Sequence, residues 1–248
     1  MDRALFIAMT GADATLSRQT TVAQNLANVS STGYRSQSVA FRSLPVFFQQ
    51  FPTRVYAVES TTGSDFTPGI LKETGRPLDV AIQGKGWLSV QDAQGGEAYT
   101  RSGHLQMDAT GQLQTDTGLA VLSEGGGPIT IPSSRTVAIG RDGTVEAVNP
   151  GNPLERQTIG RIKLVNPPEA TLVRGAEGLF RTSNGVPAAA ANNEVALSAG
   201  SLEGSNVNVV ESLVQMISAA RQFDTQLKVM QDLEADAQAS TQLLSIAS

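Results

Sequence analysis

The stretch Val207-Asn208-Val209-Val210-Glu211-Ser212-Leu213-Val214-Gln215-Met216-Ile217, which runs on without a proline to Leu244, decides how this chain of 248 residues reads. Val210, Leu213, Ile217, Ala220, Leu227 and Met230 keep helical spacing, Val214 and Phe223 widen the row, and Asp224 falls on it. That pattern predicts an amphipathic helix with a narrow apolar seam, not the broad face that closes a globular core. The other end of the chain has the same plan. Leu5, Met9, Ala12, Leu16, Ala23 and Leu26 form a seam interrupted by Gln19. Two helices of this kind bury little surface alone and need partners, either each other or helices of neighbouring molecules.

Local signals bound these helices. Asp2 is an expected N-cap of the first, and Asn28, Ser30, Ser31 and Gly33 are expected to stop it. Gly11 inside it costs roughly 1 kcal/mol relative to alanine, so the segment is weak by itself. Ala235, Ala237, Ala239 and Ser240 permit close helix approach near the C-terminus, and glutamines such as Gln215, Gln222 and Gln226 can bond across a crowded helix array. An intramolecular antiparallel pair is one solution. The narrow, alanine-rich seams favour packing between molecules.

Between the helices the chain is rich in glycine, proline, threonine and valine, and it reads as all-β. Trp87-Leu88-Ser89-Val90 is a strand entered through Gly84 and Gly86. Asp108-Ala109-Thr110-Gly111 is a hairpin turn flanked by Leu105, Met107 and Leu113, and Asp142-Gly143 predicts a tight type I′ turn between Val137–Ile139 and Thr144–Val145. Ile162, Leu164 and Val165 make a further strand ended by Asn166-Pro167-Pro168. Strands at this spacing suggest a small sandwich or barrel. Residues 30–75 and 183–205 look extended and polar, with Asn184-Gly185 and Ala188–Ala191 as a surface connection.

Composition excludes several functions. The net charge of −5, without any basic run, argues against nucleic acid, because phosphate binding needs a basic stripe. There is no cysteine, hence no disulfide framework. No apolar run approaches the ~20 residues that span a bilayer, so no membrane insertion is expected. Met1 to Thr10 lacks a long apolar core and a cleavage site, so any export is expected without a cleaved signal peptide.

Chemistry has little to stand on. His104 is the only histidine and reads as an exposed strand position, so neither a zinc site nor a nucleophile triad is expected. Asp79, Asp108, Asp116 and Asp142 lie near glycines but match no calcium loop, and turn chemistry accounts for Asp108 and Asp142. Gly84-Lys85-Gly86 lacks the third glycine of a dinucleotide loop, and Gly125-Gly126-Gly127 reads as a flexible connection. No catalytic, cofactor-binding or metal-binding residues are assigned, and the chain is read as no enzyme.

Three stretches resemble the flagellar rod and hook proteins. Asn25-Leu26-Ala27-Asn28 with Thr32-Gly33-Tyr34-Arg35 is similar to the motif closing that family's first helix. Gly75-Arg76-Pro77-Leu78-Asp79-Val80 through Gly84-Lys85-Gly86-Trp87, then Tyr99-Thr100-Arg101-Ser102-Gly103, resembles its entry into a β domain. Leu202-Glu203-Gly204-Ser205-Asn206-Val207-Asn208, followed by Ala220-Arg221-Gln222-Phe223, resembles its C-terminal motif. Trp87 and Ser102 depart from the commoner Phe and Asp. Within the family, the short length and Ala220-Arg221-Gln222-Phe223 point to the proximal-rod members, with the distal-rod subunit as the alternative.

The resemblance implies an α+β fold in which N- and C-terminal helices form a coiled-coil-like pair beside a central all-β domain. Its expected divisions are an N-terminal helix in 1–30, an extended connection in 31–74, the β domain in 75–185, a linker in 186–205 and the C-terminal helix in 206–248. It implies a structural subunit of the bacterial flagellar basal body that passes the type III export apparatus in transit and joins the periplasmic rod. There it would assemble helically with copies of itself and other rod subunits, and transmit torque. The Asn25–Gly33 corner is expected to set the angle between helix and connection, and Asn206 and Asn208 to terminate the linker. A different class, an oligomeric β module that binds polysaccharide or peptidoglycan, predicts affinity for such polymers in the middle domain.

Overall fold

The computed structural model describes residues 2–48, 51–132, 135–183 and 186–246. The chain forms two compact units. One comprises Met1–Asn28, Ser36–Asp65 and Val207–Ser248, the other Val29–Arg35 and Phe66–Asn206.

The first unit holds the two long helices, α1 (Asp2–Ala27) and α2 (Val209–Ile246). They pack against each other and run antiparallel: Gly11 lies against the Gln226 amide, and Ile7 and Ala8 share a groove with Val229 and Leu233. Asn208 caps α2, its Oδ1 accepting the Val210 and Glu211 N–H groups at 3.0 and 3.2 Å. Beside the helices, β1 (Gln37–Phe48) and β2 (Phe51–Ser64) pair antiparallel along their length, with irregularities at Ala40/Phe41 and Val46/Phe47. Residues 31–74 are therefore more than an extended connection. Val39 and Phe41 turn half inward while Ser38, Ala40 and Arg42 stay exposed, a two-residue alternation diluted by small and polar residues.

The second unit is built from short strands. A five-stranded sheet has the order Leu164–Val165, Trp87–Gln91, Glu97–Thr100, Phe180–Thr182, Leu172–Arg174. A three-stranded sheet has the order Asn152–Arg161, Thr144–Asn149, Thr136–Ile139. Three ribbons complete it: Val80–Gln83 with Ala196–Ala199, Leu71–Glu73 with Ser201–Glu203, and Leu105–Met107 with Leu113–Thr115. Most of the strands are short and divide among these sheets and ribbons, with isolated bridges such as Val90 to Val121 and Ser123 to Ile162 between them. The residues 186–205, read as a linker, contribute two of these strands, with Val195 and Leu197 buried in the core.

One turn geometry is used over and over. Asp92–Gly95, Asp108–Gly111, Thr115–Gly118, Ser123–Gly126, Gly140–Gly143 and Gly175–Gly178 each close with the glycine N–H donating to the carbonyl of the first residue. In each, the first residue's own N–H donates to the residue after the glycine, and the glycine has a φ between 81° and 88°. This is a type I turn with a left-handed fourth residue, the common longer hairpin connection. Asp142-Gly143 thus occupies the third and fourth places of a four-residue turn and does not make the two-residue type I′ turn expected. Gly125-Gly126-Gly127 lies in another such turn and is no loose connection. Ala188, Ala190 and Ala191 are exposed, as a surface connection requires, while Asn184-Gly185 lies outside the described residues.

The core of this unit is aliphatic. Val80, Leu88, Leu105, Leu113, Val121, Ile131, Ile162 and Leu197 are fully or almost fully buried. A smaller aromatic cluster of Trp87, Tyr99 and Phe180 lies beside it, with the Trp87 and Phe180 rings 4.6 Å apart.

Candidate assembly interface and its anchor

The helical unit turns its small side chains inward. On α1 the buried residues are Ala8, Ala12, Thr15, Val22 and Asn25. On α2 they are Ser212 and Ala219, with Met216, Phe223, Gln226, Met230 and Leu233 half-buried at steps of three and four. Many larger apolar residues point outward: Leu5, Phe6, Met9 and Leu16 on α1, and Val210, Leu213, Val214, Ile217 and Leu227 on α2 are exposed. Of the residues expected to form one seam, Ala12 is buried, Leu26, Ala220 and Met230 are half-buried, and Ala23 is exposed. The helices therefore carry two stripes. The inner one, small and partly polar, joins α1 to α2, and the outer one is left uncovered, with Val210 at 71% and Val214 at 62% exposure. Scattered exposed apolar residues are ordinary, but Val210, Leu213, Val214 and Ile217 lie within two helical turns on one side of α2.

The N-terminal motif is split between the units. Asn25, in the helical unit, presents its amide to the backbone of Gln37: Nδ2 donates to the Gln37 carbonyl and Oδ1 accepts the Gln37 N–H, both at 2.8 Å. The side chain thus substitutes for a strand neighbour and fixes where β1 begins relative to α1. Asn28 closes α1, its N–H and Nδ2 both donating to Gln24 O.

Gly33, Tyr34 and Arg35 belong to the β unit, where they meet the C-terminal motif. Gly33 N–H donates to the Glu203 carbonyl at 2.8 Å, and Asn206 N–H donates to Tyr34 O at 3.3 Å. Gly33 has a φ of 67°, and a Cβ there would lie 2.3 Å from the Arg101 carbonyl carbon, so only glycine fits. Leu202 pairs with Lys72, and Asn206 Nδ2 donates to Thr67 O. Ser205 and Val207, half-buried, carry the chain to the Asn208 cap.

At the centre lies a buried carboxylate between two guanidinium groups. Glu203 accepts Arg35 Nη2 at 2.7 Å on one oxygen and Arg101 Nη1 at 2.8 Å on the other, with side-chain exposures of 1%, 0% and 3%. Gly69 N–H adds a third bond to Glu203, and Arg101 also donates to the Gly84 carbonyl at 2.6 Å. Burial pulls the Arg101 pKa below its ordinary value, opposed by the Glu203 charge. Arg101 lies 5.5 Å from the Trp87 ring, and Arg174 lies 4.5 Å from the Tyr34 ring while donating to Arg35 O at 2.7 Å. One carboxylate thus ties together residues 35, 69, 101 and 203, four segments distant in sequence. Glu203 and Arg35 were conspicuous only inside motifs; Arg174 lies in no motif, and nothing in its surroundings marks it.

Side chains that invite a chemical reading hold structure instead. His104 is half-buried, not an exposed strand residue, and its Nδ1 lies 3.0 Å from Asp79 Oδ1. Asp79 also accepts Thr74 Oγ1 at 2.7 Å and Arg76 Nη1 at 3.3 Å. Asp108 and Asp142 accept backbone N–H groups and threonine hydroxyls within their own turns, and these bonds hold both carboxyls below their usual pKa. Among the described residues no group of three His, Cys, Asp or Glu is placed to hold a metal ion, and no helix is long and apolar enough to cross a membrane.

Comparison with known proteins matches the chain at both its β unit and its C-terminus. Residues 81–147 match the flagellar hook protein FlgE/F/G D1 domain, and residues 198–243 match the C-terminal region of the flagellar basal body rod FlgEFG proteins. The flagellar basal-body rod proteins FlgF of Escherichia coli K12 and of Salmonella typhimurium are each 44% identical over 99% of this chain and 100% of their own length. A FlgG rod protein from Buchnera aphidicola of Acyrthosiphon pisum is 32% identical over 90% of this chain and 93% of its own. End-to-end identity at this level, with both motifs in place and joined through Glu203, puts the chain in the flagellar basal-body rod protein family, most like FlgF.

Proposed function

We propose that this protein is a structural subunit of the flagellar rod whose helical unit completes its apolar burial only against neighbouring rod subunits. The observation that carries the reading is the outward face of the helix pair, where Val210, Leu213, Val214 and Ile217 lie exposed while the fully buried positions are mostly small or polar, with Val22 the one larger aliphatic among them. The spacing of the inner stripe also supports a coiled-coil-like pair. Helix association that leaves Val210, Leu213, Val214 and Ile217 in water gains less in the single chain than in an array, so ordering of the ends is coupled to assembly. The β unit has its own closed core and serves as the part that is folded before and after assembly. Kinship with FlgF supports a place in the proximal rod, in the periplasm, reached through the flagellar export apparatus, with copies of itself and other rod proteins as neighbours.

The test is complementation of a strain lacking the gene with a Leu213→Asp, Ile217→Asp double variant. The expected result is loss of swimming, with the strands of the β unit still resistant to proteolysis in the purified chain. Normal swimming would overturn the proposal.

A further inference from the structure

Residues 195–206 lie in the last quarter of the chain, and their partners are spread over the β unit that precedes them. Among the described residues, Ala196–Ala199 is the one ladder partner of Val80–Gln83, and Ser201–Glu203 that of Leu71–Glu73. Val80, Ala81 and Ile82 are sealed in the core, where a peptide group without a ladder partner is costly. Val195 and Leu197 enter the same aliphatic core, and a Cβ on Gly86 would lie 2.6 Å from Val195 Cγ1. Leu197 N–H donates to the Arg141 carbonyl at 2.8 Å. Gly200 N–H donates to the Asp79 carbonyl at 2.7 Å, and its own carbonyl accepts the Thr74 and Gly75 N–H groups at 2.8 and 3.0 Å.

Charge opposes closing without this segment. Arg35 and Arg101 are sealed, and among the described residues Glu203 is the carboxylate that pairs with both. A core that closed around them before Glu203 arrived would bury two cations without a counter-ion, a strongly unfavourable step. Docking of the segment joins residues 168 apart in sequence, so its closure entropy must be met before its contacts return anything. We propose that residues 195–206 are the clasp on which closure of the β unit waits. The preceding strands do not seal their core until this segment docks, and its docking belongs to the folding barrier. A chain made from its N-terminus therefore keeps the β unit open until its last quarter is present.

Trp87, the only tryptophan and a buried residue of the β unit, reports closure in the full-length chain. Leu197→Ala is expected to slow refolding from urea by about tenfold or more and to speed unfolding by much less, because contacts made in the barrier act on the folding rate. Val195→Ala, a smaller loss, should divide its effect in the same way. An unchanged refolding rate, with the whole effect in unfolding, would mean that the core seals first and would overturn the proposal. A pulse of thiol reagent during refolding reads the order of events directly, since the chain has no cysteine of its own. In two full-length single variants, Leu197→Cys should become protected no later than Leu113→Cys, both being small apolar replacements that the fold can bury. Protection of Leu113→Cys well ahead of Leu197→Cys would show a core sealed without its clasp, and would overturn the proposal even if Leu197→Ala failed to fold.

Discussion

The two units of this protein bury opposite kinds of side chain. In the β unit, Leu105, Leu113 and Ile131 are sealed, and the exposed positions of its strands are mostly polar. In the helical unit the sealed residues of the helices are Ala8, Ala12, Thr15, Val22, Asn25, Ser212 and Ala219, while Leu213 and Ile217 face water. Full burial of a leucine contributes about 1.5–3 kcal/mol, and a methylene about 0.8 kcal/mol. Residue for residue, the helical unit therefore gains far less from its inner face than the β unit gains from its core. A mostly small inner stripe brings the helices close, and the larger outer one is exposed in the single chain. On the function proposed above, what differs between the units is when burial is completed.

The sharpest way to break this contrast is to open the β unit at its charged centre. Glu203→Gln removes the carboxylate charge between Arg35 and Arg101 and leaves two buried guanidiniums without a counter-ion. Loss of one partner of a buried pair costs about 3–5 kcal/mol, so chemical denaturation should show the β unit strongly destabilised. A variant within 1 kcal/mol of wild type would mean that the centre is not what ties the motifs together. Next in size is Leu113→Ala, expected to cost about 2–5 kcal/mol in the same measurement, because it empties a site sealed on every side.

Acid titration sharpens the contrast further. The Arg181 guanidinium beside Asp92, with help from the Gly96 and Gln94 N–H groups, holds the Asp92 carboxyl below its usual pKa. A depressed carboxylate stabilises the fold above its unfolded pKa and loses that contribution as pH falls through the folded value. The stability gap between wild type and Arg181→Met should accordingly be constant near neutrality and shrink below about pH 4. A gap that stays constant to low pH would remove the ion pair from the account. The smallest expected effect completes the comparison with Leu113: Leu213→Ala, the same substitution on the outer helical face, should change the stability of the single chain by no more than about 0.5 kcal/mol.

Much of this was legible from the residues, and the gaps have physical causes. Both helices, the β character of the middle and the turn at Asp108 follow from spacing and turn chemistry, and Asp142-Gly143 marks the place of a turn but not its four-residue type. Which stripe of each helix faces inward did not follow, because periodicity marks an apolar row without saying whether that row meets its own chain or another. Leu213 and Ile217 share one apolar row with Ala220 and Met230 in the sequence, yet the first two are exposed and the last two half-buried. The hairpin of β1 and β2 was obscured by the polar residues interleaved with Val39 and Phe41. The Glu203 centre was invisible for another reason: residues 35, 101 and 203 are brought together by tertiary folding alone, and a buried Arg carries no local pattern.

Hydrogen exchange on the purified single chain, compared with the same chain in isolated flagellar basal bodies, tests the central claim most directly. The account predicts that amides of α1 and α2 exchange much faster than those of Trp87–Gln91 and Glu97–Thr100 in the single chain, and become comparably protected in the basal body. Helix amides as slow as the β core in a confirmed monomer, and no slower after assembly, would contradict it.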